Sequence, residues 1–188
     1  MQADVSKQSD VERLFTDTKK VFGRLDILVN NAGAYEFAPL ENVTPEAFHR
    51  MFDLNVLGLI LASQQAARSF GADGGSIINI SSVASSLTPP YGSVYSATKA
   101  AVDAITKSLA KELGPRKIRV NAINPGTVVT EGLHASGMDG DFRKEIEVRT
   151  PLGRIGEVDD IAPAAAFLAS PSASWISGET LVIAGGLK

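Results

Sequence analysis

Leu25-Asp26-Ile27-Leu28-Val29-Asn30-Asn31-Ala32-Gly33 decides how this chain is read. A short apolar run, Leu25 to Val29, ends in a polar turn that carries a glycine. That pattern predicts a buried strand that stops abruptly. Before it, Ser9-x-x-Glu12 reads as a capping box. Val11, Leu14, Phe15, Val21 and Phe22 then follow at helical spacing, and Gly23 ends the helix. After it, Thr44-Pro45 is a cap with a first-turn proline. One long helix is expected from there to Phe70, through Phe48, Met51, Phe52 and Val56.

The same alternation continues to the C-terminus. Ser76 to Ile80 predicts a second buried strand, and Ser81 to Gly92, polar with two prolines, a loop. Ser93 to Leu113 predicts an Ala-rich helix stopped by Gly114-Pro115. Ile118 to Ile123 reads as a third strand, ended by Asn124-Pro125-Gly126. Thr127 to Gly156 has many glycines and weak periodicity, which predicts a mobile segment. A helix from Glu157 to Ala169 and a strand from Thr180 to Ala184 complete the order. Strands alternating with helices argue for an α/β fold, a parallel sheet with flanking helices. The chain has 188 residues and shows no internal repeat or dividing linker, so a single domain over 1–188 is expected.

Composition narrows the function. A net charge of −3 gives no electrostatic case for nucleic acid. Zero cysteines exclude disulfides and thiolate metal sites within these residues, which suits a cytoplasmic protein. No apolar run approaches the roughly 18 residues of a membrane span. His49 and His134 stand alone, so no metal site is expected and both read as surface residues. Glu112, Arg116, Lys117 and Arg119 read as a solvated cluster, and Trp175 as core or interface.

Parallel α/β sheets bind ligands beyond the carboxyl ends of their strands. Asn30 to Gly33, Ser81-Ser82 and Pro125-Gly126 leave such ends, so all three are expected to line one crevice. Tyr95 and Lys99, four apart on a helix, share a face. A free phenol titrates near 10, too high for a neutral-pH base, and a nearby ammonium favours its ionised form. The pair is thus a candidate general acid/base. Ser82, ending a strand, can donate to a substrate oxygen that gains charge. Neighbouring residues on a strand face opposite ways, so only one of Ser81 and Ser82 can point into the crevice. Asn55 stands in an apolar stretch, where a buried amide needs partners. It either holds a water or ties its helix to a neighbour.

Asn30-Asn31-Ala32-Gly33, Asn55, Ser82, Tyr95-x-x-x-Lys99 and Pro125-Gly126-x-x-x-Thr130 stand in the order and spacing of the short-chain dehydrogenase/reductase family. The chain resembles that family over its whole length, Ser177-Gly178 and Gly185-Gly186 included. The resemblance implies a Rossmann-like fold and an NAD- or NADP-dependent oxidoreductase that interconverts a secondary alcohol and a ketone. By it, Tyr95 is the acid/base, Lys99 lowers its pKa and bonds the nicotinamide ribose, Ser82 polarises the carbonyl, and Asn55 positions a water. Asn31, Ala32 and Gly33 would lie along the adenosine side of the cofactor, and Asp4 and Val5 at the adenine. Pro125, Gly126, Val128 and Thr130 would meet the nicotinamide end. Sugar dehydrogenase-like and 3-oxoacyl-carrier-protein reductase-like substrates both remain open, with Thr127 to Thr150 as lid and Tyr35 to Phe37 at the mouth. The helices Thr44 to Phe70 and Ser93 to Leu113 resemble the pair through which family subunits form homodimers or homotetramers.

The family's Gly-rich pyrophosphate turn, Thr-Gly-x-x-x-Gly-x-Gly, has no counterpart in these residues, because Gly71, Gly74 and Gly75 lack its spacing. The first two strand-helix units of the fold are therefore expected to be missing. That would leave the Leu25 to Val29 strand as an exposed edge and the fragment marginally stable or self-associating. The competing reading is a truncated, inactive fragment that folds and self-associates without binding dinucleotide.

Overall fold

The computed structural model describes residues 1–130 and 140–187, without the side chains of 141 and 142. Four strands, β1 (Ile27–Asn30), β2 (Gly75–Ile80), β3 (Ile118–Pro125) and β4 (Thr180–Ile183), form one sheet in the order β1-β2-β3-β4. Every pairing is parallel, as the strand-helix alternation predicts. The helices are α1 (Gln8–Phe22), α2 (Pro45–Phe52), α3 (Gly58–Ser69), α4 (Ala84–Leu87), α5 (Ser93–Leu113), α6 (Asp141–Arg149) and α7 (Val158–Ala169). Among the described residues no helix is long and apolar enough to cross a membrane.

The pleat sorts side chains between two cores. Ile77 and Val120 face one side, where Val11 and Phe15 of α1, Ala62 and Ala66 of α3 and Leu113 of α5 close over them. Ile78 and Ile123 face the other, against Leu168 of α7 and Ala173. The buried amides on the first side are satisfied in a chain. Asn30 Nδ2 donates to Asn79 Oδ1 at 2.9 Å, and Asn79 Nδ2 to Thr106 Oγ1 on α5 at 2.9 Å. β1 lies at the sheet edge, with Ile27 and Val29 44% and 46% exposed, as expected of a strand without a further neighbour.

Several expectations are corrected. Helix α1 starts at Gln8, so Ser9 lies inside it and no Ser9–Glu12 box forms. Asp4 organises the entry instead. Its carbonyl accepts from Lys7 N, its Oδ1 from Ser6 N and Oγ, and its own N–H donates to Asp10 Oδ2 at 2.9 Å. Val21 and Phe22 overhang the core and are exposed. A capping box does form on α7, between Glu157 and Asp160.

The long helix is split by a π-helical turn at Asp53–Leu57. Ala47, Met51, Asn55, Leu59, Ser63 and Ala67 are all buried, one every fourth residue. In a straight α-helix each four-residue step drifts by about 40°. The wider π turn removes much of the accumulated drift and keeps the stripe on the sheet.

The loop from Ser81 to Gly92 contains α4, and Thr127 to Gly156 contains α6. Residues 131–139 of that stretch, His134 among them, lie outside the described residues. Trp175 is fully exposed, not core. Arg119 is not solvated: its Nη1 is buried, and Nη2 reaches Ser170 O.

Candidate active site

The three strand ends meet as expected. Ser81 N donates to Ile123 O at 2.7 Å and Val83 N to Pro125 O at 3.0 Å, which locks the end of β2 to the end of β3. Ser81 turns inward and donates to Lys99 O at 3.2 Å. Ser82 takes the crevice side. Its Oγ accepts from Ala84 N at 3.1 Å and lies near enough to the Tyr95 phenol to pull its pKa down. One residue of alternation therefore decides which hydroxyl is available.

Tyr95 and Lys99 stand one turn apart on α5. Lys99 is buried, 7% exposed, and its Nζ donates to Ile80 O at 2.9 Å. The ammonium lies 5.8 Å from the Tyr95 ring centroid. Burial lowers its pKa from 10.5 to about 8, against the pull of the Asp103 carboxylate one turn further on. The phenol behaves differently from the sequence expectation. Burial raises the Tyr95 pKa above its ordinary value, and the Ser82 hydroxyl opposes that rise; Tyr35 adds to it. Desolvation is the largest of these effects.

Asn55, in the π turn, is 3% exposed and its amide is fully used. Oδ1 accepts from Ala34 N at 2.8 Å, while Nδ2 donates to Ala34 O at 2.8 Å and to Thr98 Oγ1 at 3.0 Å. The side chain thus ties the strand-end loop to α5. Gly33 lies beside this tie: a Cβ there would stand 3.3 Å from Asn55 Oδ1 and 3.7 Å from Lys99 Nζ. Asn31, Ala32 and Gly33 form an exposed rim. Val5 packs on Gly58 at the start of α3, where a Cβ would come within 2.9 Å of Val5 Cγ2. Asp4, next to it, has a carboxyl held below its usual range by the Ser6 hydrogen bonds.

On the far side, Gly126 N donates to Ile183 O at 2.9 Å. Val128 bridges to Gly156, and Thr130 is exposed. A cavity of about 130 Å³ opens there, walled by Val128, Ile155, Ile161 and Ile183 and closed by the Arg154–Asp160 ion pair.

Two residues went unnoticed in the sequence. Asp103 and Asn124 join α5 to the Ser82 loop. Asn124 Nδ2 reaches Asp103 Oδ2 at 3.0 Å, Ser85 Oγ at 3.1 Å and Ser82 O at 3.3 Å. Asp103 lies four residues after Lys99, so the helical face already visible in Tyr95 and Lys99 could have revealed it.

The family model described as Enoyl-(Acyl carrier protein) reductase matches residues 1–188. An uncharacterized oxidoreductase of Methylorubrum extorquens is 51% identical, over all of this chain and 76% of its own length. A 3alpha-hydroxysteroid dehydrogenase of Mediterraneibacter gnavus is 42% identical over 96% of this chain and 72% of its own. Among solved structures, a gluconate 5-dehydrogenase from Burkholderia cenocepacia, in complex with NADP and tartrate, superposes with a TM-score of 0.92. It is 37% identical, over 98% of this chain and 72% of that one.

Proposed function

This chain belongs to the short-chain dehydrogenase/reductase family of NAD(P)-dependent oxidoreductases, and from that premise we propose that Tyr95, Ser82, Lys99 and Asn55 interconvert a secondary alcohol and a ketone. The observation that carries this reading is the gathering of the Ser82 hydroxyl, the Tyr95 phenol and a buried ammonium 5.8 Å from the Tyr95 ring at the carboxyl end of a parallel sheet. The cofactor, when bound, gives or accepts the hydride.

The protein's own groups handle the proton. In ketone reduction the Tyr95 phenol donates its proton to the carbonyl oxygen as the carbonyl carbon gains hydride. A phenol whose pKa is raised by burial is stored in the protonated form, ready as the acid. Ser82 donates to the same oxygen as charge builds on it. In the reverse direction Tyr95 takes the hydroxyl proton, and a hydrogen bond from Ser82 stabilises the phenolate that must form first. Lys99 spends one of its three donors on Ile80 O and has others for a ribose hydroxyl. Asn55 fixes the distance between the Ala34 loop and α5.

The crevice suits a dinucleotide. Gly33 presents no side chain next to Lys99 Nζ, so a ribose can approach both. We assign Asn31, Ala32 and Gly33 to the adenosine side, Asp4 and Val5 to the adenine, and Pro125, Gly126, Val128 and Thr130 to the nicotinamide end. Family members commonly form oligomers. Half-exposed Phe48 and Leu57, on the face of α2 and the π turn, support a homodimer or homotetramer built on these helices and α5.

Replacing Tyr95 with Phe removes the proton donor and keeps the ring. Turnover of a secondary alcohol is expected to fall by roughly 10²–10⁴-fold, with cofactor affinity kept. Turnover within threefold or so of the parent would refute the assignment.

A further inference from the structure

The mouth of the Tyr95 site is walled by aromatic rings. Tyr35 and Phe37 leave the loop after β1 and converge on Tyr95, with ring centroids 6.1 and 5.8 Å from it and tilts of 64° and 57°. Tyr35 and Phe37 lie 6.4 Å apart and are themselves tilted by 59°. Three rings at such angles form a concave corner, not a flat stack. The corner is also held in place. Ala38 N donates to Tyr91 O at 2.9 Å, which fastens this segment to the loop before α5. Phe37 sits on Gly92 so closely that a Cβ there would be 3.0 Å from Phe37 Cε1.

These rings are not buried by the fold. Tyr35 and Phe37 are 40% and 43% exposed, beside a phenol and a serine hydroxyl that can grip a single oxygen. Among the described residues the wall offers ring faces, with the Ser82, Tyr95 and Tyr35 hydroxyls as its polar points. Such a surface suits a ligand that is mostly apolar and carries one or two oxygens. A polyhydroxylated chain laid against Phe37 would bury hydroxyls opposite a ring that offers them no hydrogen bond. A cyclic skeleton would place its C–H or π faces on the rings with nothing left unpaired.

We propose that this oxidoreductase acts on a secondary ring alcohol or ring ketone, alicyclic or with an aromatic ring fused beside the reacting carbon, with Phe37 and Tyr35 as the specificity wall that receives the ring. The proposal rests on the reading of Tyr95 as the proton donor. In reduction the ring carbonyl carbon takes hydride from NAD(P)H, and its oxygen takes the Tyr95 proton, leaving the alcohol and NAD(P)⁺.

Binding and turnover separate the two readings. With NAD⁺ or NADP⁺ present no ketone is reduced, so the affinity for 2-decalone can be measured calorimetrically, with sorbitol as competitor. Phe37→Ala is expected to weaken 2-decalone about tenfold, the loss of roughly 50 Å² of apolar contact. Phe37→Leu, which keeps apolar bulk and guards against a folding defect, is expected to weaken it by a smaller factor. Sorbitol should not compete. Unchanged affinity in both Phe37 variants, or displacement by equimolar sorbitol, would overturn the ring assignment. If Tyr95→Phe still reduces 2-decalone at the parental rate, the proton-donor reading fails and the ring wall stands.

Discussion

Replacing Lys99 with Met should make the protein more stable at neutral pH. Lys99 is 7% exposed, and burial brings its pKa from 10.5 to about 8. A displacement of that size corresponds to about 3 kcal/mol against the charged form in the folded state. Methionine keeps most of the hydrocarbon and removes the charge, at the loss of the bond to Ile80 O, about 1 kcal/mol. The net gain at pH near 7 is then about 2 kcal/mol, or a rise in Tm of roughly 4–8 °C for a chain of this length.

The sign reverses with pH. Below about 8 both states hold the proton, and the folded state bears the full cost. Between about 8 and 10.5 the folded state releases it first, so the parent gains stability as pH rises. The advantage of methionine should therefore shrink across that window, vanish about 1.5 pH units above its lower end and become a deficit of about 1 kcal/mol at its top. Urea denaturation of both proteins at about pH 7 and about pH 10 measures this. A Lys99→Met protein less stable than the parent at both values, with the same pH slope, would refute the reasoning. A charge kept at such a cost is what a functional site is expected to contain.

Asn55→Leu keeps the branched shape but strands Ala34 N, Ala34 O and one Thr98 contact, so a loss of about 3 kcal/mol is expected in chemical denaturation. Asp103→Asn removes a carboxylate that raises the Lys99 pKa. An ¹⁵N titration of the lysine Nζ should find it below the parental value, and an unmoved Lys99 would contradict the geometry. Gly74 has φ 86°, and a Cβ on it would lie 2.0 Å from Lys117 O. Gly74→Ala is accordingly expected to cost more than about 2 kcal/mol in thermal unfolding, and a neutral result would disprove the close approach of these two segments.

Much of the fold was legible because apolar runs and helical stripes alternate cleanly in the sequence. The parallel sheet and the meeting of Asn31, Ser82 and Pro125 at one end follow from that order, while the edge position of β1 followed from the family resemblance. The π turn was less visible. No proline or internal glycine breaks Pro45–Leu57, and only the strict four-residue spacing of buried positions betrays it. The Ser9–Glu12 box failed because the helix starts at Gln8, which puts Ser9 inside it, with Asp4 ordering the turn before the helix. For the site, residue types and spacing located Tyr95, Lys99 and Ser82. The direction of the Tyr95 shift was misjudged, since spacing gives the proximity of an ammonium but not the depth of burial.

The account stands on the Ser82 hydroxyl acting on the phenol of Tyr95. Titration of ¹³Cζ-labelled tyrosine in the parent and in Ser82→Ala tests it directly. The parent should show Tyr95 above its ordinary value of 10.0, and Ser82→Ala should move it higher still, because the opposing hydroxyl is gone. A Tyr95 that titrates below 10.0 in the parent, or does not respond to the loss of Ser82, would contradict it.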